Sequence, residues 1–126
     1  MADPLADAET LRLDSSGNVV ELGRKPTSYD DIQGQYMGLI GIRRGIAAKL
    51  VDVYRSLDAD GPYDGRDRAN MYMTSFLQYL IDEVTPVAAV VVDGGWIEVD
   101  TIADLETYEA LQAADRLREY CALGQG

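Results

Sequence analysis

Two carboxylates two residues apart, Glu98 and Asp100, are the side chains of this sequence best placed to do chemistry. The alternation Trp96-Ile-Glu-Val-Asp100 reads as a strand, which sets both carboxylates on one face. Asp100 would close that strand directly before a helix, at the edge where open α/β sheets bind ligands. A carboxylate there suits Mg²⁺, which takes one or two carboxylates and completes its octahedron with phosphate oxygens and water. The plainer reading of Asp100 is a negative charge that favours the start of a helix through its dipole. Tyr36 and Gly38 lie in the apolar run Tyr36–Ile42, where a glycine leaves room for a ligand or marks a bulge in a buried strand. Trp96 and Tyr72 would suit a quaternary ammonium by cation–π contact, with core packing the plainer role for Trp96.

The residue types also exclude a good deal. There is no histidine, and Cys121 is the single cysteine. Zinc sites of the Cys/His kind, histidine-based triads, a histidine general base and an internal disulfide are therefore ruled out. The 22 acidic residues against 11 basic ones leave a net charge of -11, which repels nucleic-acid phosphates and anionic lipid heads. Neither nucleic acid nor membrane is an expected partner. A small phosphate-bearing ligand still fits, because one local lysine or Mg²⁺ outweighs the global field. The longest apolar stretch, Pro86–Val92, is too short to span a bilayer. The acidic amino terminus lacks the positive region of a signal peptide, so the expected location is cytoplasmic.

The elements that must position these residues follow from local patterns. Leu11–Asp14 and Val19–Gly23 flank Ser15-Ser-Gly-Asn18 and read as a β-hairpin. Tyr36–Ile42 reads as a strand. Leu50, Val53, Tyr54 and Leu57 stripe a helix over Gly45–Leu57. Asp58–Ala69 reads as a loop. Asn70 is a credible N-cap for a second helix to Glu83, with Met73, Phe76, Leu77, Leu80 and Ile81 on its apolar face. Val87–Val92 is a β-branched run typical of a strand buried on both faces. After the strand Trp96–Asp100, Thr101-Ile-Ala-Asp104 matches a capping box that opens a last helix running toward Cys121, with Leu105, Tyr108 and Leu111 facing inward. With 126 residues and 47% hydrophobic content, residues 1–126 make one domain with a real core. The order of elements argues an α/β sheet covered by helices.

Five segments, in this order, resemble the second half of the sugar-phosphate and phosphocholine-type nucleotidyltransferases. They are Asp3-Pro-Leu-Ala-Asp-Ala-Glu-Thr10, Glu21-Leu-Gly-Arg-Lys-Pro26, Gln33-Gly-Gln-Tyr-Met-Gly-Leu39, Met71-Tyr-Met-Thr-Ser-Phe76, and Trp96-Ile-Glu-Val-Asp-Thr101 with Asp104-Leu105. The resemblance implies a partial Rossmann-like sheet, the carboxy-terminal half of such a domain, with a hairpin and flanking helices. It implies transfer of a nucleotidyl group from a nucleoside triphosphate to a phosphorylated small molecule, with Mg²⁺. Asp100 would then be a metal ligand and Glu98 a neighbouring one. Lys25 would contact the acceptor phosphate. Glu21 would accept hydrogen bonds from acceptor hydroxyl or amine groups, or simply face solvent. Tyr36, Gly38 and Trp96 would line the acceptor pocket. The glycine-rich triphosphate loop of that family has no counterpart among these residues, so no residue is assigned a catalytic role and the chain alone is expected to be inactive. Central strands without neighbours also lead us to expect a homodimer or higher oligomer. The competing expectation is a non-catalytic α/β module for small-ligand binding or dimerisation.

Overall fold

The computed structural model describes residues 8–119. Cys121 and residues Asp3–Asp7 of the first resembling segment lie outside them. The described residues fall into two compact units, one through Ala89 and one from Val90 onward.

The first unit is built on the expected hairpin, β1 (Leu11–Leu13) and β2 (Val19–Leu22). Leu11 pairs with Leu22 and Arg12 with Glu21, after which the register shifts so that Leu13 meets Val19. Asp14 makes the turn: its Oδ1 accepts from the amides of Ser16 at 2.8 Å and Asn18 at 3.0 Å. Those amide bonds, Asn18 first, hold the Asp14 carboxyl below the usual carboxylate range. Val19 and Leu22, at the two ends of β2, are buried on the helical side of the hairpin.

Two helices cover that side. Helix α1 spans Arg44–Ser56 and α2 spans Met73–Glu83. Leu77 and Leu80 of α2 join Val19 and Leu22 as the buried core, and Leu50, Val53, Phe76 and Ile81 pack around it. Tyr54 meets Phe76 edge-to-face, with ring centroids 5.8 Å apart. Met73, expected inside, is 54% exposed. Nor is Asn70 the cap of α2. It closes a 3-10 turn, Arg68–Asn70, whose own cap is Asp67, while Tyr72 precedes α2 without a side-chain cap. The loop between the helices is tied down instead by Arg68, whose Nη1 donates to the carbonyls of Arg55 and Leu57, both at 3.0 Å.

Gln78 is the polar member of this interior, 9% exposed on the face of α2 that meets β2. Its Oε1 accepts from the Leu22 amide and its Nε2 donates to the Val20 carbonyl, each at 3.0 Å. One amide side chain thus satisfies two backbone groups on the open edge of β2.

The α/β class holds, with a two-stranded antiparallel sheet and three helices among the described residues. The wider sheet expected from the sequence is not formed. Tyr36–Ile42, Val87–Val92 and Trp96–Asp100 are not strands. Val87 and Ala89 reach the hairpin through only two bonds, Val19 N–H to the Val87 carbonyl at 2.8 Å and Ala89 N–H to the Gly17 carbonyl at 3.0 Å. Beyond them Val90 is 88% exposed, and Leu39 of the other apolar run is 80% exposed. A strand is defined by its neighbours, and beyond that single bridge to the hairpin at Ala88 the described residues supply none for these runs.

In the second unit, α3 spans Ile102–Ala113. It opens with the expected capping box: Thr101 Oγ1 accepts from the Asp104 amide at 3.1 Å and Asp104 Oδ2 accepts from the Thr101 amide at 3.1 Å. It ends earlier than the periodicity suggests. Asp115 adopts φ +56° and the chain continues into a 3-10 turn, Leu117–Glu119, that packs on α3. Leu105, expected to face inward, is 45% exposed, while Tyr108 and Leu111 are half-buried. Among the described residues no helix is long and apolar enough to cross a membrane.

Candidate functional site

Lys25 follows β2 on a short exposed stretch whose backbone is fixed on both sides. Upstream, Thr10 is 4% exposed and grips Arg24 twice: its amide donates to the Arg24 carbonyl at 2.8 Å and its Oγ1 accepts from the Arg24 amide at 3.1 Å. Downstream, Pro26 is buried, and Asp31 Oδ2 accepts from the amides of Thr27 at 3.2 Å and Ser28 at 3.3 Å. These bonds, Thr27 first, hold the Asp31 carboxyl below its ordinary range. Lys25 itself is exposed and makes no ion pair among the described residues. An ammonium on a fixed backbone, free of internal partners, is suited to meeting a phosphate.

Glu21 is half-buried on β2, and Arg24 Nη1 lies 3.6 Å from its Oε1. Its carboxylate is thus partly occupied by an internal cation. Tyr36 packs at the margin of the hydrophobic core, and Gly38 is exposed, with no atom within 4 Å of the place a Cβ would occupy. Tyr72, considered as half of a cation–π box, already carries the Arg66 guanidinium 4.2 Å from its ring centre.

The second unit holds the remaining candidates. Trp96 is half-buried, while Glu98 and Asp100 are exposed. The shared strand face expected for the two carboxylates is absent, since this stretch is not a strand. The placement of Asp100 nevertheless distinguishes its two readings. Thr101 and Asp104 do the capping of α3, and Asp100 contributes only its backbone amide, which donates to Asp104 Oδ2 at 3.1 Å. Its own carboxylate accepts no bond and pairs with no cation among the described residues, and is free for an external one.

No group of three or more acidic or Cys side chains among the described residues is arranged to hold a metal. A lone exposed carboxylate still fits Mg²⁺ when phosphate oxygens and water supply the other ligands. A cleft of about 410 Å³ in the first unit, lined by Asp14, Asp82 and Glu83 beside Val20 and Ile81, includes none of the candidate residues. Its acidic lining is ill-suited to a phosphate.

Sequence reasoning passed over Thr10 and Asp31. Asp31 had a signal, the Ser28-Tyr-Asp-Asp31 pattern of a capping box, and that box is formed here. Thr10 had none, because its contacts cross the hairpin.

Among curated proteins, the CTP:phosphoglutamine cytidylyltransferase of Campylobacter jejuni is 45% identical to the chain over 105 residues, 83% of the chain. The chain spans 41% of that protein's length. No family model matches the chain, and no solved structure matches it.

Proposed function

We propose, from the premise that this chain is a relative of the nucleotidyltransferases, that it supplies the acceptor-binding and metal-holding part of a cytidylyltransferase acting on a phosphorylated small molecule. The observation that carries this reading is the 45% identity over 105 residues to an enzyme named for CTP and phosphoglutamine. A phosphorylated amino-acid amide is accordingly the favoured acceptor, ahead of a sugar phosphate or phosphocholine.

In the proposed reaction an acceptor phosphate oxygen attacks the α-phosphorus of CTP. The bond from that phosphorus to the bridging oxygen breaks, and pyrophosphate leaves with the electron pair. The nucleophile is already anionic, so no side chain has to remove a proton, and positioning and charge compensation dominate. Lys25 would orient the acceptor phosphate. Glu21 would take an N–H of the acceptor on the lobe that Arg24 leaves open. Asp100 would hold Mg²⁺, with Glu98 close in sequence as a further oxygen donor. When bound, Mg²⁺ neutralises charge on the phosphates.

The triphosphate cradle and the rest of a Rossmann-like sheet would come from further polypeptide. The exposed stretches Leu39–Ile42 and Val90–Val92 support this, because β-branched and apolar residues with open backbone edges are strands in search of neighbours. Without that polypeptide the chain would not turn over, and the same runs would draw it into homodimers or larger species.

The acceptor assignment is tested at Lys25 in the active polypeptide. Lys25→Ala should raise KM for the phosphorylated acceptor about 10- to 100-fold, the scale of one charged hydrogen bond, and leave KM for CTP unchanged. An acceptor KM equal to that of the parent would remove Lys25 from the site.

A further inference from the structure

Resting on the reading of Lys25 as the acceptor-phosphate contact, we infer that Thr10 and Asp31 are positioning residues that set where its ammonium stands. The stretch Arg24–Thr27 is neither helix nor strand. What holds it is a pair of clamps, Thr10 through its backbone and its hydroxyl and Asp31 through its carboxylate. Thr10, almost wholly buried, binds the amide and, through its own N–H, the carbonyl of Arg24. The Thr10 carbonyl also accepts from the Gly23 amide at 3.0 Å. On the other side Asp31 gathers the Thr27 amide, the Thr27 hydroxyl at 3.1 Å and the Ser28 amide in one carboxylate oxygen. Pro26, buried between them, has a fixed φ and no N–H to lose.

Lys25 is therefore the one residue between the clamps whose side chain is solvent-facing and whose neighbours on both sides are held. A flexible four-carbon stem carries the ammonium, so the position of the Lys25 backbone decides how much freedom is lost when it meets a phosphate. Release of either clamp leaves the lysine present but no longer preorganised. The effect belongs in acceptor binding and not in the chemical step or in CTP binding.

The experiment compares Thr10→Val, Thr10→Ser and Asp31→Ala in the active polypeptide. Valine keeps the shape of Thr10 and deletes the acceptor for the Arg24 amide; serine retains it. Asp31 is partly exposed and outside the core, so Asp31→Ala remains informative should Thr10→Val fail to fold. Thr10→Val and Asp31→Ala should each raise acceptor KM about three- to tenfold, the scale of a modest loss of preorganisation, with kcat and KM for CTP unchanged. Thr10→Ser should match the parent. In a Lys25→Ala background neither clamp variant should raise acceptor KM further.

An unchanged acceptor KM in the folded clamp variants, while Lys25→Ala raises it, overturns this inference and leaves the Lys25 reading standing. A Lys25→Ala variant with unchanged acceptor KM overturns both. A purely structural role would lower kcat or raise both KM values together, and would persist in the Lys25→Ala background.

Discussion

Asp100→Asn in the active polypeptide is expected to lower cytidylyl transfer about 10²- to 10³-fold, on the scale of removing one preorganised electrostatic group, while leaving the fold intact. The asymmetry follows from the start of α3. Thr101 and Asp104 form the capping box, and Asp100 takes part through its amide alone. Asparagine keeps that amide and nearly the same shape. The lost charge near the helix N-terminus is worth at most about 1 kcal/mol at an exposed position. A large fall in kcat with an unchanged melting temperature, and a higher Mg²⁺ concentration for half-maximal rate, is the expected pair of results. A variant that melts earlier and turns over normally would return Asp100 to the role of helix-start residue.

A large effect on stability is expected at Gly23. This residue has φ +75°, and a Cβ built there would lie 2.7 Å from Thr74 Cβ and 2.8 Å from Thr74 Oγ1, at the start of α2. Gly17 provides the comparison: φ is +82° and nothing lies within 4 Å of a Cβ there. Gly17→Ala should cost only the left-handed backbone term, about 1–2 kcal/mol. Gly23→Ala should cost that and a further overpacking term of about 1–3 kcal/mol, because Thr74 has backbone on a helix behind it and cannot retreat freely. Against a typical total of about 5–15 kcal/mol the second variant loses a large share of its stability. Urea midpoints of the two variants measure the difference directly. Equal midpoints would mean that the hairpin and α2 can separate at no cost, contrary to the packing of β2 on α2.

What was legible in the sequence was what is local. The hairpin shows in the Ser15–Asn18 turn between two alternating segments, α1 in its four-residue stripe, and the start of α3 in Thr101 and Asp104. Each rests on contacts within a few residues. The runs Tyr36–Ile42, Val87–Val92 and Trp96–Asp100 carry the composition of strands, but composition states a need for neighbours and does not supply them. Among the described residues, Val87 and Ala89 find two backbone bonds and Val90 finds solvent. Gln78 escaped notice because an amide within an apolar stripe looks like a break in it. Its value lies in backbone groups of β2 that sit far away in sequence. At the site, resemblance singled out Lys25 and Asp100. Of the two clamps on the Lys25 backbone, that of Thr10 depends on pairings across the hairpin that no local pattern encodes, whereas that of Asp31 lies within the Ser28–Asp31 capping box.

The role proposed for this chain is in cytidylyl transfer to a phosphorylated small molecule. Its most direct measurement is pyrophosphate release by a polypeptide that joins the chain to the remaining length found in its relative, supplied with CTP, Mg²⁺ and phosphoglutamine. The account predicts pyrophosphate equimolar with a cytidylylated acceptor, only when both substrates are present, and none from the chain by itself. Pyrophosphate release that ignores the acceptor, or no product from the joined polypeptide under any pairing of triphosphate and phosphorylated acceptor, would contradict it.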